Sequence, residues 1–261
     1  MATAPSAAPP PAAWNDQLLR NPHAVADKQR RVQKMFAAIA PSYDLNNHVH
    51  SLWMDQLWRR KAVKLSDLKA TDRVVDVACG TGDLTLAYLR RLKKIAGNAA
   101  LLEGQLVGID YTFEMLPIAR TKSTNVTWLN GDAQRLPLAD HTADVVSIAF
   151  GIRNVADPAR AIGEFYRVLR PGGRLIILEF SLPSNPILRA FYNLYFRKVL
   201  PRTATWISGD KSGAYKYLPE SVNTFIGREQ MSGMMAAAGF SQITQHAMTF
   251  GVCVCYRGVK V

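Results

Sequence analysis

The chain has 261 residues, of which 48% are hydrophobic and three are cysteines, and its formal net charge is +12 at pH 7. That length supports one large α/β domain or at most two small ones. No stretch reaches the roughly 18 uninterrupted apolar residues of a spanning helix, so a soluble fold is expected. Three cysteines exclude a disulfide framework. Cys253 and Cys255, two apart in an apparent strand, suit a mutual bridge poorly. Reduced thiols and a cytosolic setting follow. The positive charge asks for an acidic partner, whether nucleic acid, an anionic membrane surface or a phosphorylated substrate, and charge alone does not choose.

The chain opens on MATAPSAAPPPAA, with neither the basic nor the apolar region of a secretory signal and without the arginines of a transit peptide. Residues 1–25 read as an Ala/Pro-rich disordered tail. Residues 26–261 read as one domain, with 26–68 a helical cap and 181–226 an insertion over the substrate. Within the cap, Val32, Met35, Phe36 and Ile39 recur at helical spacing before Pro41 breaks the pattern. Strand and helix signals then alternate. Short apolar runs at 73–78, 105–110, 126–130, 143–150 and 174–180 read as strands, the fourth nearly all apolar, as a strand buried on both faces should be. A helix after the first carries Leu84, Tyr88, Leu92 and Ile95 on one stripe. Another opens at Asp157-Pro158, buries Ile162, Phe165 and Leu169, and is expected to end at Pro171-Gly172-Gly173. A last helix spans 227–238, closed by Gly239. Segments 242–248 and 252–257, joined by a turn at Phe250-Gly251, read as a hairpin. Five βα units and a hairpin define an α/β fold: a mostly parallel, seven-stranded sheet with an antiparallel edge.

The first strand runs into Asp76-Val77-Ala78-Cys79-Gly80-Thr81-Gly82-Asp83-Leu84. Glycines at a strand-to-helix junction let backbone approach a ligand in front of a helix N-terminus. A dinucleotide fingerprint needs a third glycine where Thr85 stands. The run instead matches the looser loop, acidic-x-small-x-Gly-x-Gly, that lies against S-adenosylmethionine, with Ala78 at a position often held by glycine. Gly80, Thr81 and Gly82 are therefore expected to bind that cofactor. Asp110, closing the second strand, is placed to accept hydrogen bonds from both ribose hydroxyls. Asp132 and Ala133, after the third, are placed at the adenine edge. No metal site is expected, because His48 and His50 have no further ligand at suitable spacing.

Four further segments carry a resemblance. They are Arg31 to Phe36 leading into Ile39 to Asn47 and Trp58-Arg59-Arg60; Phe150-Gly151-Ile152-Arg153-Asn154-Val155; Tyr166 to Gly173 running into Leu178 to Ser181; and Tyr215-Lys216-Tyr217-Leu218-Pro219-Glu220-Ser221. Together they resemble the ubiquinone/menaquinone-biosynthesis C-methyltransferase family over nearly everything from Asp27 onward. One departure is His50, where an aliphatic residue usually precedes Ser51. The resemblance implies a class I, Rossmann-like methyltransferase fold with an N-terminal helical extension. It implies methylation of a prenylated quinol ring, demethylmenaquinol to menaquinol, with the benzoquinol of the ubiquinone pathway as the alternative.

Methyl transfer is an in-line displacement, so the enzyme mainly holds donor and acceptor in line and out of water. The acceptor carbon becomes nucleophilic when a neighbouring hydroxyl loses its proton. Arg153, after the fourth strand, is placed to stabilise that phenolate, and Asn154 to orient the ring oxygen. The competing role for Arg153 is a structural ion pair. Residues 186–200 are apolar nearly all round and punctuated by Arg189, Arg197 and Lys198, with Arg202 just beyond. They read either as a core helix or as a lid that takes the prenyl tail and touches an anionic bilayer at the inner face of the cell membrane. Nucleic acid is not an expected partner. An amino-group methylase acting on it would carry an Asn/Asp-Pro-Pro-aromatic run where Phe150 to Asn154 stand, and no RNA-binding module is visible.

Overall fold

The structure, a computed structural model, describes residues 14–97, 101–208 and 212–261. Residues 14–25 depart from the disordered reading. Trp14 is buried, its ring 4.6 Å from that of Tyr217, and Leu19 is buried in a short 3₁₀ turn. Removing an indole and a leucine from water supplies the free energy that orders this segment. The rest of that reading, residues 1–13, lies outside the described residues.

Helix α1 (Lys28–Ile39) buries Val32, Met35 and Ile39. Pro41 then sits in a 3₁₀ turn, followed by α2 (Tyr43–His50) and α3 (Met54–Leu65). The expected cap is thus three helices, and the chain turns between the last two through Leu52 and Trp53, both left-handed with φ of 50° and 59°.

Strand β1 (Val74–Val77) leads to α4 (Asp83–Ala96), β2 (Leu106–Asp110), α5 (Met115–Lys122), β3 (Thr127–Asn130) and β4 (Ala143–Ala149). The chain continues through α6 (Pro158–Val168) and β5 (Leu169–Phe180). The insertion is α7 (Pro186–Leu194), a π-helical turn at Tyr195–Val199, α8 (Leu200–Ser208) and α9 (Ala214–Asn223). Finally come α10 (Arg228–Ala237), β6 (Phe240–Met248) and β7 (Cys253–Lys260).

The sheet order is β3-β2-β1-β4-β5-β7-β6, with the first five strands parallel and β7 antiparallel to both of its neighbours. Parallel strands covered on both faces are mostly apolar, and every residue of β1 and β2 is buried, the acids Asp76 and Asp110 being held by hydrogen bonds. Apolar layers flank the sheet: Leu84, Tyr88 and Leu92 of α4 lie in one, and Ile162 and Phe165 of α6 with Met231 and Met235 of α10 lie in the other. Each such fully buried side chain contributes about 1.5–3 kcal/mol.

The Pro171-Gly172-Gly173 run does not end a helix directly. Helix α6 stops at Val168, and the run lies inside β5, where the register against β4 slips between Ala143 and Val145. Proline has no N–H to give the ladder and Gly172 has φ of +76°, so the strand bulges there before pairing resumes. Cys253 and Cys255 are both free and buried in β7.

This order makes β1 and β4 the central neighbours, with chain crossovers leaving them in opposite directions. A crevice opens beyond their carboxyl ends, as in other open α/β sheets. Two non-glycine residues at those ends are left-handed, Ala78 (φ 50°) and Phe150 (φ 56°). Gly151 packs against Ala78 so closely that an added Cβ would lie 2.7 Å from the Ala78 methyl. Backbone strain and close backbone approach thus meet at the mouth of the crevice.

Candidate active site

An open cavity lies over the ends of β1, β2 and β4. Of the residues singled out from sequence, Gly80, Asp110, Asp132, Ala133 and Asn154 line it. Gly80 has φ of +56°, and its amide donates to Asp110 Oδ2 at 2.7 Å. The other carboxylate oxygen, Oδ1, accepts from the Thr112 amide at 2.7 Å. Burial nonetheless pushes the Asp110 carboxyl up to about 6, against the pull of those two donors. Asp132 accepts from the Gln134 amide at 2.9 Å and from Gln29 Nε2 of α1 at 2.8 Å, so the helical cap is latched across the cavity. A second tie is Lys28, buried and donating to the Val155 carbonyl at 2.7 Å; burial brings its ammonium down to about 8.

Two of the expected cofactor residues do not line this cavity. Gly82 is the N-cap of α4 at φ +90°, and a Cβ there would come 2.6 Å from Trp128 Cη2. Packing against that indole accounts for this glycine. Thr81 lies in an adjoining recess with Tyr43, Arg59 and Asp83, and its hydroxyl donates to Asp44 Oδ1 at 2.5 Å.

Arg153 and Asn154 face different spaces. Asn154 faces the first cavity and accepts from the Tyr217 hydroxyl at 2.9 Å. Arg153 lines a second, mostly apolar cavity with Phe36, Tyr43, Phe150, Phe180 and Leu218. The two cavities meet at Phe36, Tyr43 and Phe150. Arg153 is buried, and its Nη1 lies 2.6 Å from both Glu179 Oε1 and the Phe150 carbonyl, while Nε donates to Ser221 Oγ at 3.4 Å. The ion pair foreseen as the competing role is therefore present, and it fixes the guanidinium in the wall of the apolar cavity.

Sequence reading missed a polar network beside this site. Arg59 and Asp55, one turn apart on α3, pair at 2.5 Å. Asp83 lies 3.8 Å from Arg59 and 3.2 Å from Lys122, which also reaches Asp44 at 2.6 Å. His48 joins through Asp55 at 3.0 Å. His48, Asp55 and Asp83 are close enough together to suggest a cation site. Arg59 and Lys122 already supply the positive charge there, so the group is an ion-pair network. His50 turns the other way, to the Thr203 hydroxyl of α8 at 2.9 Å. The signal available in sequence was the i,i+4 spacing of Asp55 and Arg59 and the Tyr43-Asp44 pair.

The strand order, the glycine turn at the end of β1 and the buried acid at the end of β2 define a class I S-adenosylmethionine-dependent methyltransferase. Solved structures agree on the fold: a methyltransferase of Thermotoga maritima, described as a possible histamine N-methyltransferase, matches with a TM-score of 0.60 at 23% identity, over 88% of this chain and 100% of that one. Residues 24–260 match the model of the ubiE/COQ5 methyltransferase family, and the chain belongs to that family. It is 47% identical to the demethylmenaquinone methyltransferase of Thermus thermophilus, over 86% of this chain and 99% of that protein. It is 41% identical to the ubiquinone/menaquinone biosynthesis C-methyltransferase of Teredinibacter turnerae, over 90% and 93% respectively.

Proposed function

We propose that this methyltransferase converts demethylmenaquinol to menaquinol, methylating the ring of a prenylated naphthoquinol. The observation that carries this reading is the pair of adjoining cavities. One fits a nucleoside at Gly80 and Asp110, and the other is mostly apolar, with the fixed Arg153 guanidinium in its wall. S-adenosylmethionine supplies an electrophilic methyl on a sulfonium. Asp110 would hold the ribose, with Asp132 and Ala133 along the adenine. Phe36, Tyr43 and Phe150, where the cavities meet, would flank the transferred carbon and exclude water. Arg153 would stabilise the negative charge that develops on the ring oxygen, its direction set by Glu179 and Ser221. Asn154, held by the Tyr217 hydroxyl, faces the cofactor cavity and would border the donor rather than orient that oxygen. The 47% identity to a demethylmenaquinone methyltransferase favours the naphthoquinol over the benzoquinol. A strain deleted for this gene should accumulate demethylmenaquinone; accumulation of a benzoquinone precursor alone would replace this substrate with the alternative.

The proposed partner is an anionic membrane surface. Among the described residues, no helix is long and apolar enough to cross a membrane. What supports surface contact is the exposure of α7. Ile187, Phe191 and Leu194 recur on one face and are 66%, 66% and 58% exposed, while only Tyr192 of that helix is buried. A core helix would have the opposite pattern. Leu52 and Trp53, 79% and 59% exposed, turn beside His50, whose carbonyl accepts from the Tyr195 hydroxyl at 3.3 Å. Arg189, Arg197, Lys198 and Arg202 bring positive charge to the same segment.

A further inference from the structure

Past Gly80, the cofactor cavity continues into the recess lined by Tyr43, Arg59, Thr81 and Asp83. Arg59 is only 6% exposed. Its Nη1 is held by Asp55, and its Nη2 stands 3.8 Å from Asp83, beyond hydrogen-bond distance. Its Nε is buried and has no hydrogen-bond partner among the described residues. A buried donor of a charged group left unmade is costly, and such donors in native proteins mark an acceptor that belongs there.

We infer that Arg59 anchors the α-carboxylate at the methionyl end of the methyl donor. The inference rests on the assignment of the neighbouring cavity to S-adenosylmethionine. With the ribose at Asp110 and the chain crossing Gly80, the amino-acid end of the donor comes next to this recess. The recess offers one cation, Arg59, and two carboxyls; Asp76 accepts from the Thr85 and Ser147 hydroxyls and burial pushes it up to about 7, which leaves Asp83 as the anion that, with Arg59, complements a zwitterionic amino acid. A guanidinium presents Nε and one Nη side by side, the fork that a carboxylate takes in two parallel bonds. Asp83 is held below the usual carboxylate range by Arg59 and Lys122 despite its partial burial, so it carries the charge an ammonium group needs.

Arg59 also lines the apolar cavity, which raises the acceptor's phenolate as a rival ligand. On that side Asp55 already occupies Nη1, and Asp55 lines the apolar cavity but not the recess. The guanidinium is fixed in place before any ligand arrives. Asp55 is itself held by the Ser51 hydroxyl at 2.8 Å and approached by His48 at 3.0 Å, and the Phe150 ring lies 5.3 Å from the Arg59 guanidinium carbon.

The test is calorimetric titration of the full chain with three ligands: S-adenosylhomocysteine, its decarboxylated analogue, and 5′-methylthioadenosine, which lacks the amino acid. In the unaltered protein, loss of the carboxylate should weaken binding by about 10- to 100-fold, the range for charge-assisted hydrogen bonds. Arg59→Gln should weaken S-adenosylhomocysteine by a similar factor, leave methylthioadenosine unchanged, and erase the difference between the acid and its decarboxylated analogue. If the acid and its decarboxylated analogue bind equally well to the unaltered protein, the inference is overturned, whether or not Arg59→Gln folds. The same holds if the variant keeps full affinity for S-adenosylhomocysteine and loses only turnover, which would hand Arg59 to the acceptor. Failure of S-adenosylhomocysteine itself to bind the unaltered protein would overturn the cofactor assignment, and this inference with it.

Discussion

Replacing Asp110 by Asn keeps the shape of a buried side chain while removing the charge on which cofactor affinity depends. In the structure the carboxylate sits at the end of β2 and accepts two amide hydrogens, from Gly80 and Thr112, at 2.7 Å each. The ribose diol would add two further donors to the same carboxylate. Asn keeps one acceptor oxygen and sets an NH2 donor where the other stood, so losing the charge-assisted bonds from the hydroxyls should cost on the order of 2–4 kcal/mol, roughly 30- to 1000-fold in Kd. The elevated carboxyl, at about 6, gives this a pH signature. The charged form accepts from the diol, so ribose binding lowers the carboxyl again, and affinity must fall as pH drops below about 6. The slope should approach tenfold per pH unit, and the curve should be flat above about pH 7. The fold responds with the opposite sense. The native state keeps this proton to higher pH than the unfolded chain does, so the stability it confers is present in acid and is lost as pH rises through about 6. Asp110→Asn should lose both dependences. Truncation to alanine is the poorer probe, because it leaves both the Gly80 and the Thr112 amides without an acceptor, whereas Asn keeps an oxygen for one of them. Calorimetric titration with S-adenosylhomocysteine across pH, beside thermal melts, measures both effects. A folded Asp110→Asn protein with unchanged, pH-independent affinity would refute the placement of the ribose.

Gly82→Ala should lower the melting temperature through a loss of about 1–3 kcal/mol, from strain at φ +90° and the clash with Trp128, while residual folded protein binds cofactor normally. Selective loss of cofactor affinity with an unchanged melt would put Gly82 back in the binding site. Arg153→Lys keeps a cation for Glu179 but gives up the fork, and should lower kcat by about 10²-fold with little change in cofactor affinity. Normal turnover would leave Arg153 as a structural ion pair. Replacing Ile187, Phe191 and Leu194 with serine should weaken flotation with anionic vesicles and slow methylation of long-tailed quinols more than short-tailed ones, with the remaining binding lost as salt rises. Equal rates on both tails and unchanged flotation would contradict the membrane assignment.

What could be read from sequence was whatever depends on local pattern. The apolar runs gave the strands of the parallel sheet because burial on both faces leaves no freedom at those positions. The turn from Asp76 to Leu84 gave the cofactor crevice because Gly80 needs a positive φ. The switch from βα alternation to a hairpin gave the antiparallel edge. Features set by tertiary contact were less accessible. The tail appeared featureless through residue 25 because Trp14 finds its partner, Tyr217, only in the folded molecule. The motif marks Gly82 as a cofactor glycine and does not reveal Trp128, which packs behind it only in the folded molecule. Residues 186–200 show apolar side chains but not which face meets protein, so core helix and lid could not be separated. The Arg153–Glu179 pair joins the ends of β4 and β5 from positions 26 apart, and the network around Arg59 spans four segments; neither has a periodic signature.

The most direct measurement of the chemistry is transfer of labelled methyl from S-adenosylmethionine to three acceptors, demethylmenaquinol, the benzoquinol of the ubiquinone pathway, and bulk RNA, by the purified chain on anionic vesicles. Label should appear on the ring of demethylmenaquinol at the highest rate, with none in RNA. Label in RNA, or none in either quinol while S-adenosylmethionine still binds, would contradict that chemistry.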